Sequence, residues 1–99
     1  MIDLERIIGF DWDDGNARTN EKHGVAQAKA EEVFFNQPLL MLDDLRHRDQ
    51  EARLHALGKT LDGRLLHVTF TLRGDDTLIR VISARDMHRK EKSVDEQTR

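Results

Sequence analysis

Eleven of the sixteen basic side chains in this sequence are arginine, and Arg53, Arg80 and Arg85 sit on or beside segments with strand-like alternation. The planar guanidinium pairs bidentately with phosphate or carboxylate and tolerates partial burial better than an ammonium group. His55 shares the segment of Arg53, and His67 lies on the next one. The two-residue period of a strand can bring several of these groups to one face. Such a set suits metal-free RNA cleavage, in which a 2′-hydroxyl attacks its own phosphodiester, because that reaction needs a base, an acid and cations around the phosphorane-like transition state. The competing reading is structural: Arg53 and Arg80 pair across strands with acids such as Glu51, each pair contributing about 0.2–1 kcal/mol. On that reading His55 and His67 are exposed or satisfied sheet residues.

Other chemistries fall away. The 99 residues contain no cysteine, which removes disulfides, thiolate metal sites and a cysteine nucleophile. His23, His47, His55, His67 and His88 lack paired ligand spacing. No Gly-rich phosphate loop, Ser-His-Asp pattern or RNA-recognition fingerprint is present, so no metal or cofactor is expected. The acidic first residues and the short apolar run Leu39 to Leu42 predict neither a signal peptide nor a membrane span. Net charge is −3, distributed unevenly. Residues 1–45 hold 4 basic and 10 acidic side chains, or −6, and residues 46–99 hold 12 basic and 9 acidic, or +3. The cationic surface belongs to the second half, where phosphate or an acidic partner would bind.

The elements that must position these groups read as one α+β domain over residues 1–99. Phe10-Asp11-Trp12 is a short strand, and the acidic residues after it cap a helix from about Asp14 to Lys22 that stops at Gly24. A second helix, Val25 to Phe35, sets Ala26, Ala30, Val33 and Phe34 on one buried face and leaves Lys29, Glu31 and Glu32 to water. Leu39 to Leu42 is apolar without alternation, either covered on both faces or awaiting a partner. Asp43 to Glu51 is a polar loop. Arg53 to Lys59, Leu65 to Leu72 and Thr77 to Ala84 are strands joined by turns at Asp62-Gly63 and Gly74-Asp75-Asp76, giving an antiparallel meander of about four strands. Leu66, Val68, Phe70 and Leu72 share one face of the middle strand; His67, Thr69 and Thr71 share the other. A last helix, about Asp86 to Gln97, gathers Arg85, Arg89 and Lys92 at helical spacing.

The order of short motifs carries a resemblance. Phe10-Asp11-Trp12-Asp13-Asp14-Gly15-Asn16, Lys22-His23-Gly24-Val25, Arg46-His47 with Glu51 and Arg53, Gly63-Arg64-Leu65-Leu66, and Ile82-Ser83-Ala84-Arg85 with Met87-His88 and Lys90-Glu91 follow one another over nearly the whole chain. In this order they resemble the BrnT family of toxins. The resemblance implies a RelE-like fold and a cytoplasmic ribonuclease toxin of a type II toxin–antitoxin pair that cleaves RNA and arrests translation. It also implies a BrnA-type ribbon-helix-helix antitoxin, so that this chain reaches DNA only through its partner. The family's site positions carry over onto Lys22, His23, Glu51, Arg53, Arg80 and Arg85, with His47 and His88 as further positions. The implied roles are phosphate binding by Arg53, Arg80 and Arg85 and proton movement by His23 or Glu51. Lys22 and His23 have a structural alternative, offsetting the helix dipole by about 0.3–1 kcal/mol. Related sequences often carry Tyr after Ile-Ser-Ala-Arg, where this one has Asp86, and this chain has no tyrosine at all. That departure supports an alternative, a catalytically weak antitoxin-binding module acting as co-repressor.

Overall fold

The computed structural model describes residues 4–36, 39–43 and 53–97. A 3-10 turn at Leu4–Arg6 precedes β1 (Gly9–Phe10), and Asp13 then starts α1 (Asp14–Lys22). The Asp13 carboxylate accepts the Asn16 amide at 3.1 Å, and the Asn16 side-chain oxygen accepts the Asp13 amide at 2.7 Å. This reciprocal cap satisfies two orphan donors and fixes the helix start where the acidic run predicts it. The strand lies one step earlier than expected, because Asp11 and Trp12 are taken up in the approach to that cap. α1 ends at His23, and Gly24 follows at φ +70°, a left-handed conformation that glycine adopts without steric cost.

α2 spans Gln27–Phe35, two residues shorter at its start than the periodicity predicts. Ala26 is extended (φ −71°, ψ 152°) and exposed, and Val25 takes the buried position beneath the corner. Ala30, Val33 and Phe34 are buried as expected. Glu31 and Glu32 are not simply left to water: Glu31 accepts the Trp12 indole N–H at 2.8 Å and Glu32 accepts the Leu61 amide at 2.9 Å.

β2 (Leu40–Asp43), β3 (Leu54–Lys59), β4 (Leu65–Arg73) and β5 (Leu78–Asp86) form the antiparallel meander. β1 adds in parallel to β5, giving a mixed five-stranded sheet in the order β1-β5-β4-β3-β2. The apolar segment Leu40 to Leu42 is thus an edge strand, with Leu42 exposed. One sheet face, with Ala56, Leu66, Val68, Phe70, Ile79, Val81 and Ala84, packs against α2 to form the core. The approach is close: a Cβ on Gly58 of β3 would stand 2.9 Å from Val33.

The other face carries the polar alternates of β4, and two features set its composition. A register shift between Thr69 and Phe70 places Thr71 opposite Arg80 and His67 opposite Arg85. Five residues of β4 therefore face six of β5, so Arg80 and Arg85 share a face that plain alternation would deny them. β5 also continues to Asp86, opposite Leu66, so α3 begins at Arg89 (Arg89–Gln97) and not at Asp86. Arg85 is a strand residue as a result, and the expected helical grouping with Arg89 and Lys92 does not form. Among the described residues no helix is long and apolar enough to cross a membrane.

Candidate active site

Two clusters lie along the second sheet face. In the first, Arg53 at the entry to β3 and Arg80 of β5 line a shallow depression of about 280 Å³ with Gly15, Asn16, Thr19 and Ile82. Asn16 is nearly buried and holds this wall in place, donating to the carbonyls of Asp11 at 3.0 Å and Val81 at 2.9 Å. Arg80 pairs with Asp13 at 2.8 Å and Asp11 at 3.5 Å, acids of the segment leading into α1, while Glu51, the partner the structural reading offered, lies outside the described residues. The Asn16 amide and then the Arg80 guanidinium hold the Asp13 carboxyl below its ordinary range. Arg80 is thereby oriented by carboxylates that spare several of its five donors. Arg53 makes no ion pair among the described residues.

The second cluster is a chain of contacts. Arg85 grips Glu91 of α3 through both carboxylate oxygens, at 2.8 and 2.9 Å. Glu91 faces Nδ1 of His67 at 2.5 Å, and Nε2 of His67 lies 2.8 Å from Nδ1 of His55. The two rings are edge-on, with centroids 4.8 Å apart. Thr69 Oγ1 sits 3.1 Å from the same His55 nitrogen. Burial lowers the pKa of His67, with the Arg85 and His55 charges adding to the effect and Glu91 opposing it. Against the cost of its own burial, Glu91 is held down at about 2 by Arg85, the His88 amide and His67. The consistent arrangement near neutral pH is an ionised Glu91 and a neutral His67 whose Nδ1–H points at it. His67 Nε2 then accepts from His55 Nδ1–H. Arg85 also comes within 2.8 Å of His67 Nδ1, which in this arrangement already carries the proton directed at Glu91, and Arg85 donates to the Asp86 carbonyl at 3.0 Å.

The remaining predicted residues lie elsewhere. Lys22 and His23 are exposed at the C-terminal end of α1, where the His23 amide closes the helix onto Asn20, and they do not line the depression that holds Arg53 and Arg80. Their corner is clamped structurally: Arg64 donates to the Gly24 carbonyl at 3.0 Å and pairs with Asp86 at 2.7 Å. His88 is exposed before α3, where its amide donates to Glu91. Glu51 and His47 lie outside the described residues.

The structure thus brings Arg53 and Arg80 together, and attaches Arg85 through Glu91 to His67 and His55, two histidines the sequence places among the strand cations but whose coupling it did not foresee. The available signal was the common face of His67 and Thr69 on β4, joined to the hairpin register that carries His55 there. Among the described residues no group of three or more histidine or acidic side chains has the arrangement to hold a metal ion.

Compared with known proteins, residues 12–91 match the family described as the ribonuclease toxin, BrnT, of type II toxin–antitoxin systems. No curated protein matches the chain. The matched span runs from Trp12, beside the cap that orients Arg80, to Glu91, the carboxylate that Arg85 grips. With the family pattern covering both clusters and the strands between them, the chain belongs to the BrnT family of ribonuclease toxins of type II toxin–antitoxin systems.

Proposed function

We propose that this toxin cleaves RNA without a metal, by attack of the 2′-hydroxyl on the adjacent phosphodiester, with Arg53 and Arg80 holding the scissile phosphate. The observation that carries this reading is the convergence of these two guanidinium groups, from strands separated by β4, on one depression. Two cations on one side of a phosphate stabilise the charge that grows on its non-bridging oxygens. A shallow site suffices, since the substrate is a flexible single strand and not a small molecule that needs enclosure. Lys22 and His23, on their exposed corner, are proposed contacts for the flanking RNA backbone. Arg85 acts through its histidine chain, and Glu51 keeps the role that the family resemblance implies.

The fold is proposed to be RelE-like and the toxin to act in the cytoplasm, where RNA cleavage arrests translation. An antitoxin is its partner, as for any type II toxin. We assign that partner to the BrnA-type ribbon-helix-helix class, through which alone the toxin meets operator DNA. The single domain is taken to span residues 1–99.

Purified chain incubated with RNA in EDTA should yield fragments ending in a 2′,3′-cyclic phosphate. Arg53→Ala and Arg80→Ala should each lower the rate on the order of a hundredfold, the usual cost of one positioned donor. Wild-type and Arg80→Ala protein that are equally inert would overturn the reading. A second reading, an antitoxin-binding co-repressor with weak catalysis, draws support from the acids that engage both Arg80 and Arg85. It prevails if the toxin copurifies with its antitoxin yet leaves cellular RNA intact when expressed alone.

A further inference from the structure

We infer that Asp13 is a specificity-determining residue of the first cluster. Together with Asp11, its carboxylate balances the two arginines, so that the depression takes the singly charged phosphodiester inside an RNA chain and turns away doubly charged terminal phosphates. This deepens the ribonuclease reading above and rests on it for where the phosphate sits.

The two oxygens of Asp13 have separate partners. Oδ1 accepts the Asn16 amide at 3.1 Å and caps α1, whereas Oδ2 takes Arg80 at 2.8 Å. Capping needs no charge, since asparagine and serine serve as well at that position. The charge of Asp13 acts on Arg80 instead. Asp11 stands 3.5 Å from the other terminal nitrogen of the same guanidinium, so Arg80 meets the depression with two carboxylates at its back. The Asn16 amide, and then Arg80, hold the Asp13 carboxyl below its ordinary range, which keeps it charged at neutral pH.

The field of this carboxylate reaches the phosphate position. Gly15 lines the depression, and a Cβ on it would stand 3.2 Å from Asp13 Oδ1, so bare backbone separates the acid from the cavity. Arg53 and Arg80 line the depression directly, and the two carboxylates that engage Arg80 do not. Two positive groups in front of two negative ones leave a modest positive potential at a bound anion.

That balance sorts anions by charge. A phosphodiester carries one negative charge, and a terminal phosphate carries roughly 1.5 to 2 near neutral pH. Attraction to the site grows in proportion to the charge of the anion, while the cost of stripping its water grows faster. A weak potential therefore holds the diester and fails to hold the dianion. Selection of this kind directs the toxin to internal linkages and keeps inorganic phosphate and phosphate-terminated ends out of the depression.

The test displaces a fluorescent, fully 2′-O-methylated RNA oligonucleotide from the full chain, read by anisotropy at constant ionic strength. Such an oligonucleotide has no 2′-hydroxyl to attack. The competitors are dimethyl phosphate, a singly charged diester, and sulfate, a doubly charged tetrahedral anion. Dimethyl phosphate should displace RNA from wild-type protein at least as well as sulfate does. In Asp13→Asn, which keeps the cap, sulfate should bind on the order of tenfold more tightly and dimethyl phosphate about threefold, because doubling the charge squares the factor. Asp13→Ser stands in if the asparagine variant does not fold by circular dichroism. Arg80→Ala should weaken both anions, which locates them in the depression. Better displacement from wild type by sulfate would overturn the assignment. So would equal changes for the two anions in a folded Asp13 variant, no change in either, or anion binding indifferent to Arg80→Ala. Displacement requires no cleavage, so protein that sorts the anions as expected yet leaves unmodified RNA intact in EDTA would overturn the ribonuclease reading and leave the charge selectivity standing.

Discussion

Asn16 shows how one side chain can hold a site together. Its amide nitrogen serves the carbonyls of Asp11 and Val81, its oxygen serves the Asp13 amide, and it is almost fully buried. Asn16→Ala leaves buried backbone groups unpaired, at a cost of about 1–3 kcal/mol. For a chain of this size each kcal/mol lowers the melting temperature by about 4–8 °C, so a thermal melt by circular dichroism should show a clear drop. The cap itself was legible, since Asp-Asp-Gly-Asn before a polar helix is a local signal. The histidine pair was not. Reading Asp62-Gly63 as a two-residue turn sets His55 opposite Phe70, on the core face of β4. The actual connection runs from Thr60 to Arg64, closed by hydrogen bonds between those residues, and sets His55 opposite Thr69. One residue of slip separates a bland histidine from a coupled one.

At the scale of elements, burial departs from the period of β4 at Thr71, which is buried as well, but from Leu65 to Phe70 that period survives, because there it depends only on neighbours along the strand. The extent of β5 and the start of α3 do not, because pairing with β4 decides them, as in the case of Asp86 opposite Leu66. α3 is polar, and its side chains include one described anchor on the sheet, Glu91. That anchor is sensitive to acid. The depressed Glu91 pKa contributes stability that is fully present above its ordinary value of 4.5 and is lost as pH falls towards about 2. His67, whose pKa is lowered from 6.5, must stay neutral in the folded state, so its contribution also declines once pH drops below that value. Amide hydrogen exchange over α3 should therefore speed up, relative to β4, as the solution is acidified through these ranges. Equal protection at all pH values would contradict the anchoring role of Glu91.

For the whole molecule, the uneven charge predicts how RNA is gathered. The net charge is negative, and the cations of the proposed site are few and local. With Arg53 and Arg80 as the phosphate contacts, log K should fall with log salt at a slope of about −1.4, and Arg53→Ala should halve it to about −0.7. Fluorescence anisotropy of a labelled RNA with a cleavage-deficient variant measures both; a much steeper slope would mean a wider cationic footprint. The core is small, built around α2 and one sheet face, so a partner that binds only the folded chain should stabilise it appreciably. At a hundredfold excess over Kd an antitoxin adds about 2.7 kcal/mol. The irregular pairing of β4 with β5 also bears on heredity. Because Arg80 and Arg85 stand an odd number of places apart and still look the same way, losing the single codon for Ile82 would leave them four places apart, the spacing at which even pleating already holds both on one face. Such a gene would keep its reading frame and still encode a toxin with both guanidinium groups turned away from the oily interior.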